Sequence, residues 1–384
     1  MEYAEILHRC FRCGYCKLPG SFLDLNCPSY LNYRFETFSP GGRMWLLKGW
    51  LDGEIQTSPR LAEILYSCAT CGNCVEHCVF DKFKDNLVKA FIAGRGELVD
   101  QGLVPPIVRD TLKSMQLYGN PYKLPEADRG NWANGLGLEP YAGQEYLFLA
   151  GCVGAYDEWG QKMARAVAGL LKAWGVDFGI LGPDEHCDGS EVRDLGEKGL
   201  FQILAERNIQ QFKELKTKKT ITLSPHAYHT FKEDYPAFGG TLEVYHYSQI
   251  LAKLARKAPI KPLSTPRRVA FHDPCYLGRH QKEYQSPRKL LSAIPGLQMI
   301  ELERSRADAL CCGGGGGNFF TEILGRGTDS PARVRVQEAA AAGAEILAVA
   351  CPNCARMLDD AAKIVGLEET LQVMDLAEIA GLRD

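Results

Sequence analysis

The stretch DALCCGGGGGNFF, residues 308–320, sets Cys311 and Cys312 side by side ahead of five consecutive glycines. Its nearest counterpart is EHCDG, residues 185–189, where Cys187 is followed by Asp188. The two stretches occupy the same place in a longer repeated order. EYLFLAGC, ending at Cys152, matches RRVAFHDPC, ending at Cys275. KTITLSPHA, with Ser224, matches AEILAVACPNC, with Cys351. The offsets between equivalent positions are 123, 124 and 127 residues, which one duplicated unit explains better than chance.

Within each unit, short β-rich runs alternate with helical ones, the pattern of a parallel sheet covered by helices. Ser330 and Pro331 form an N-cap and first-turn pair for a helix that Gly343 ends. A strand over Glu345 to Ala350 follows, then CPNC and a helix to Gly366. The cysteines therefore fall where strands finish and helices begin, the edge at which open α/β sheets hold ligands. Helix N-termini there also favour thiolates.

The five glycines do not fit a phosphate-binding loop, because no Lys-Ser/Thr ending follows and CC rather than a strand precedes them. Glycine allows positive φ and close backbone approach, so the expectation is a loop wrapped around a bound group with its N–H groups turned inward.

Upstream lie eight further cysteines in two runs. CFRCGYCKLPGSFLDLNCPSY supplies Cys10, Cys13, Cys16 and, after an enlarged gap, Cys27 before Pro28. SCATCGNCVEHCVF supplies Cys68, Cys71, Cys74 and Cys78. The spacing C-x2-C-x2-C suits three thiolates on one tight turn around an iron–sulfur cubane. A zinc pair is the competing reading, but two sets of four that each open with a triplet fit it poorly. Between this block and the repeat, residues 101–144 are rich in Pro, Gly and Asn and read as a connector with one helix near Val108 to Met115.

The paired runs resemble the two-cluster bacterial ferredoxin module, whose runs exchange their fourth cysteines. That resemblance implies one [4Fe-4S] cluster on Cys10, Cys13, Cys16 and Cys78 and another on Cys68, Cys71, Cys74 and Cys27. The chain departs from the pattern in the long gap before Cys27 and in Val79, which replaces a proline. HDPCYLGRH, ALCCGGGGG and VACPNCARML resemble the cysteine-rich CCG domain of the D and B subunits of heterodisulfide reductase and of the iron–sulfur subunits of glycolate and lactate oxidation systems. By that resemblance Cys275, Cys311, Cys312, Cys351 and Cys354 would hold a non-cubane [4Fe-4S] cluster. The first repeat lacks three of the five thiols, so it is expected to be a scaffold, with Cys187, Asp188 and His226 the residues placed to border the site.

The expected fold class is α+β. Residues 1–100 form a mainly helical two-cluster ferredoxin-type domain and residues 101–144 a connector. A duplicated α/β CCG domain with a pseudo-twofold repeat follows, degenerate over 145–260 and complete over 261–384. His272, beside Cys275, is the one candidate for catalysis, either giving a proton to a substrate sulfur or orienting the loop. His77 reads as a surface residue, and His226 and His229 as turn residues.

Function follows from the same resemblance: an electron-transfer subunit of a multi-subunit anaerobic oxidoreductase complex. It would work with a flavoprotein, another iron–sulfur subunit or a quinone-reactive partner, an aromatic acyl-CoA reductase being one terminus. The alternatives are disulfide reduction at the CCG cysteines and a glycolate- or lactate-type dehydrogenase. No flavin or nicotinamide fingerprint is present. A net charge of −3 and a pI near 6.3 give no general attraction for nucleic acid, and the basic runs FKELKTKKT and RKAPIKPLSTPRR read as solvated surface. No run of apolar residues is long enough to span a bilayer. With fifteen cysteines and no leader pattern before HRC, the expectation is a cytoplasmic, reducing environment, any membrane association passing through a partner.

Overall fold

A computed structural model describes residues 1–20, 24–258, 260–325, 327 and 329–382. The middle of the long gap between Cys16 and Cys27 (21–23) and Pro259 of the basic linker lie outside the described residues.

The N-terminal hundred residues are helical, and prolines set the starts. Pro28–Tyr33, Pro40–Leu51 and Pro59–Tyr66 each begin on a proline, whose fixed φ suits a first turn. Ser39 and Ser58 cap the second and third by accepting from Gly42 N and Leu61 N. With Leu87–Asp100 these helices enclose a small core of Leu7, Met44, Leu47, Leu65, Phe91 and their neighbours. The connector holds a helix over Pro106–Tyr118, longer at both ends than the sequence pattern indicates, and a 3-10 stretch over Glu126–Ala133.

Two four-stranded parallel sheets follow. In the first, β1 (Tyr146–Leu149), β2 (Phe178–Ile180), β3 (Lys219–Thr222) and β4 (Glu243–His246) run in the order β2-β1-β3-β4. In the second, β5 (Arg267–Phe271), β6 (Leu297–Ile300), β7 (Ile346–Val349) and β8 (Gln372–Asp375) run in the order β6-β5-β7-β8. The identical orders make the duplication structural. Even the caps repeat: His246 with Gln249 and Asp375 with Glu378 form capping boxes on the helices after β4 and β8. Tyr247, beside the first box, donates to the Asp375 carboxylate of the second. Leu149, Ile221, Val269 and Ile346 belong to one continuous core that both sheets share.

The strand order reverses beside β1 and again beside β5, so in each half a crevice opens at the carboxyl ends of the central strands. Cys152 and Ser224 follow β1 and β3, while Cys275 and Cys351 follow β5 and β7. The helix Pro331–Ala341 starts after Ser330 as its sequence indicates, and β7 and the helix Pro352–Ile364 fall inside the expected ranges.

Candidate iron–sulfur sites

The two N-terminal runs fold alike. Arg12 and Thr70, each just before the second cysteine of its triplet, have φ of 56° and 46°, and Gly14 and Gly72, just after it, have 90° and 73°. Alternating handedness of this kind turns successive N–H groups toward one concave point, a natural cradle for an anionic group. Cys10, Cys13, Cys16 and Cys78 line one small apolar cavity with Met44 and Phe83. On its inner side the Cys16 thiol neighbours Cys27, and Cys74 neighbours Cys68, Cys71, Cys27 and Cys16. Burial, the largest influence on Cys16 and Cys74, pushes both thiols up, and the neighbouring thiols push the same way. Thiols left crowded and buried like this are poor as free side chains and suited to sharing a cationic centre. Cys13 is exposed while Cys27, Cys71 and Cys74 are buried, so one end of the array faces solvent and the other the interior.

At the second sheet, Cys311 Sγ lies 3.8 Å from Cys275 Sγ, and Cys312 Sγ 3.4 Å from Cys354 Sγ. Cys351 and Cys354 interact directly, and all five thiols are buried. Hydrogen bonds from Cys311, Cys354 and His272 hold Cys312 well below the ordinary thiol range against the penalty of burial. Burial would raise Cys351, but hydrogen bonds from Cys354 and His226 bring it down to about 6. Cys311 and Cys354 are pushed well up by the hydrogen bonds they give to neighbouring thiols and by burial, so the pocket favours thiolate at Cys312 and Cys351, the form in which cysteine binds a metal.

The N-terminal array abuts this one. The Cys71 thiol interacts with Cys311, so ferredoxin-type and CCG-type thiols meet in a single buried cluster with Ala69, Cys275 and Cys312. Arg279, four residues after Cys275, ties them together: it donates from Nε to the Cys71 carbonyl at 2.7 Å and from Nη1 to the Ala309 and Ala307 carbonyls. His280 Nε2 donates to the Thr70 carbonyl at 2.9 Å, and Thr70 Oγ1 donates to Asp194.

This contact shows one partner of the close approach expected at the glycines. Only Gly313 N donates to a cysteine, Cys311 Sγ at 3.3 Å, among the described hydrogen bonds of that run. A Cβ on Gly315 or Gly316 would collide with the carbonyl oxygens of Ala69 and Cys68, and one on Gly317 with Leu195. Gly315 and Gly316 are glycine because the N-terminal backbone lies against them. Arg95 completes the seam, donating to the carbonyls of Leu65, Asp194, Gly316 and Cys68.

His272 is buried within 4.8 Å of the Cys312 and Cys354 sulfurs. Arg335 Nε donates to its Nδ1 at 3.2 Å, which leaves Nε2 to carry the ring proton in the neutral form. Of the two roles open to it, the geometry matches a hydrogen-bond donor to Cys312. Of the other histidines, His77 and His229 depart from expectation, while His226 borders the site, one of the two places its sequence offered. His77 is largely covered, with Nε2 3.1 Å from Asp308 Oδ1. His226 is buried, stacks on Tyr276 at 4.0 Å and reaches across the repeat to Cys351. Burial opposes its charge, but Cys351 and Glu191 outweigh that and push it up to about 9. His229 packs edge-on against Tyr276. Glu191 joins the same group, accepting from Gly317 N at 3.0 Å and from Asn353 Nδ2 at 3.3 Å.

Cys187 and Asp188 sit at the matching position in the first half, Asp188 accepting from Ser190 N. The residues that sequence reading missed are the buried arginines 95, 129, 279 and 335. Arg95 had a legible signal: glycines flank it on both sides in a helix rich in apolar residues, and Gly94 and Gly96 pack against Leu47 and Gly196.

Comparison with known proteins agrees with this arrangement. Residues 146–232 and 269–359 each match the cysteine-rich domain family, and residues 6–81 match the 4Fe-4S dicluster domain family. A probable iron-sulfur-binding oxidoreductase (FadF) of Bacillus subtilis is 36% identical over 83% of this chain and 46% of its own length. The EtfAB:quinone oxidoreductase of Syntrophomonas wolfei is 34% identical over 83% and 46%. The D subunit of the dihydromethanophenazine:CoB–CoM heterodisulfide reductase of Methanosarcina mazei is 32% identical over 83% and 78%. The chain spans about half the length of the first two of these relatives. Among the described residues no helix is long and apolar enough to cross a membrane.

Proposed function

The chain belongs to the family of iron–sulfur oxidoreductases that includes the D subunit of heterodisulfide reductase, and from that premise we propose that it is the electron-relay component of a larger oxidoreductase complex. The observation that carries this reading is the succession of neighbouring thiols from exposed Cys13, through Cys10 and Cys78, then Cys16, Cys27 and Cys71, to buried Cys311.

In this proposal Cys10, Cys13, Cys16 and Cys78 hold one [4Fe-4S] cluster, Cys68, Cys71, Cys74 and Cys27 a second, and Cys275, Cys311, Cys312, Cys351 and Cys354 a non-cubane third. Such clusters supply one-electron acceptance and release when bound. The protein's own contribution is spacing, insulation and tuning. Arg95 and Arg279 lock the second and third cysteine sets against each other, and His272 donates to Cys312. The solvent-facing end is where a partner docks. Around Cys13 it exposes Phe11, Tyr15 and Val79 beside Arg9 and Arg12, a surface that fits an apolar patch with an acidic rim. The proposed partner is an electron-transfer flavoprotein, as the name of one relative suggests, or an aromatic acyl-CoA reductase.

Iron and sulfide analysis after anaerobic purification tests the assignment. About twelve irons falling to about eight in a Cys351→Ala/Cys354→Ala variant is the expected result, at four irons per cluster. A count of about eight that the variant leaves unchanged removes the third cluster. A second reading rests on a small cavity that reaches Cys312 past Phe319, Leu324 and Met357, room for a sulfur substrate. Disulfide reduction by the isolated chain with an artificial electron donor would favour it, whereas activity only with partner subunits favours the relay.

A further inference from the structure

The degenerate half of the repeat has lost three of the five thiols, yet the two it keeps are organised. Cys152 lies in the helix Gly151–Tyr156 after β1, and Cys187 in the loop before the helix Ser190–Asp194. Both are buried, their thiols interact, and they line one cavity together with Asp188, Ser224, His226 and Asn353. This is the position that Cys275 and Cys311 occupy in the complete half.

What faces Cys152 is a cation. Arg129, from the 3-10 stretch of the connector, donates to Cys152 Sγ from Nη1 at 3.5 Å and from Nη2 at 3.6 Å, and Nη2 also reaches Glu185 Oε1 at 3.3 Å. Glu185 is fixed in turn by Ala150 N at 3.1 Å and Gly151 N at 2.7 Å. Gly189 N donates to Cys187 Sγ at 3.4 Å. A guanidinium that spends two donors on one sulfur takes the place of a metal cation there and stabilises a thiolate. A core cysteine that served only as packing would need no such partner.

We propose that Cys152 and Cys187 form a redox-active dithiol that exchanges with low-molecular-weight disulfides, Cys152 as the attacking thiolate and Cys187 as the resolving thiol. The electrostatics divide the roles in the same way. Cys187 and Arg129 hold Cys152 below the ordinary thiol range, while the hydrogen bond to Cys152 and burial push Cys187 well above it. In the first step Cys152 Sγ bonds to one sulfur of the small disulfide, whose S–S bond breaks, and the leaving thiolate departs with the electron pair. In the second, Cys187 gives up its proton and attacks Cys152 Sγ, releasing the second small thiolate. The protein dithiol is oxidised by two electrons, and the small disulfide is reduced to two thiols on taking up the two protons. The site stands on residues outside all three proposed cluster sets, so it does not depend on the relay reading.

The test uses the intact, cluster-loaded protein under anaerobic conditions, equilibrated with bis(2-hydroxyethyl) disulfide and 2-mercaptoethanol at graded ratios. Acid quenching, alkylation and peptide mass spectrometry then read the state of each cysteine. A Cys152–Cys187 linkage with a definite midpoint is expected. In Arg129→Met, loss of the cation that stabilises the reduced form should shift the equilibrium at least tenfold toward disulfide, about 30 mV for a two-electron couple. Cys187→Ser, which leaves the buried arginine in place, should accumulate a mercaptoethanol adduct on Cys152 because no resolving thiol remains. If neither the linkage in the parent protein nor the adduct in Cys187→Ser appears with the disulfide in excess, the proposal fails.

Discussion

If the N-terminal backbone is what demands glycine after Cys312, then adding a single methyl group should cost stability in proportion to what it meets. Three alanine substitutions separate the causes. Gly366, after the helix Pro352–Ile364, has φ of +71° with nothing within 4 Å of an added Cβ, so Gly366→Ala carries only the left-handed backbone penalty, about 1 kcal/mol. Gly315 is not in the left-handed region, but its Cβ would fall on the Ala69 carbonyl oxygen. Gly315→Ala therefore carries only the steric penalty, about 1–3 kcal/mol for an overpacked interior. Gly316→Ala carries both. Its φ is +64°, and its Cβ would strike the Cys68 carbonyl and press on Arg95 Nη1 at 3.1 Å and Thr70 Cγ2 at 3.2 Å, for about 2–4 kcal/mol together. Neither carbonyl can move without disturbing the cysteine beside it, so the neighbour cannot give way cheaply. Anaerobic urea titration followed by circular dichroism, with iron retention measured on the same samples, gives the comparison. The expected order of rising cost is Gly366→Ala, Gly315→Ala, Gly316→Ala, with iron loss only in the last two. Gly316→Ala matching Gly366→Ala to within about 0.5 kcal/mol, the usual scatter of such comparisons, would refute it.

Three further outcomes are expected. Arg95→Met leaves buried carbonyls of Leu65, Cys68, Asp194 and Gly316 without their donor, and should cost on the order of 3 kcal/mol or more by the same titration; a loss under about 1 kcal/mol would mean that water replaces the guanidinium. His272→Ala removes a hydrogen bond to Cys312 worth about 1 kcal/mol, which for one electron is roughly a 40 mV fall in the midpoint potential of the cluster proposed on the CCG cysteines; an EPR-monitored titration that shows no shift places the histidine elsewhere. Burial pushes the Asp375 carboxyl up to about 8, although Tyr247 donates to it. Because the folded value lies above the unfolded one near 4, this group's stabilising effect is complete below about pH 4 and is lost as pH rises toward 8, at most about 1.4 kcal/mol per unit. Asp375→Asn should flatten that decline, and identical slopes for both proteins between about pH 5 and 8 would contradict it.

The grouping of the cysteines into triplets and a CCG set, and the duplication of the sheet, could both be read from the sequence. Cysteine chemistry depends on residue identity and short spacing, and a duplicated strand–helix pattern leaves its period in the chain, so both are local information. The histidines were only partly legible, for the opposite reason. His226 looks like a turn residue beside β3, yet its ring lies between Tyr276 and Cys351, from the other half of the repeat. Arg129, Arg279 and Arg335 resemble surface charges in sequence, and only folding shows that sulfurs, carbonyls and a histidine are their partners. The glycine run shows the division most clearly: its composition announced a close approach, but what approaches it is set by residues 68–70, some 245 positions earlier in the chain. The sequence by itself therefore determined the donors and the repeated frame that carries them. Tertiary structure alone decided that the two cysteine arrays touch at Cys71 and Cys311, because that contact depends on how two separately patterned cores pack and on buried guanidinium groups finding carbonyls, neither of which has a local signature.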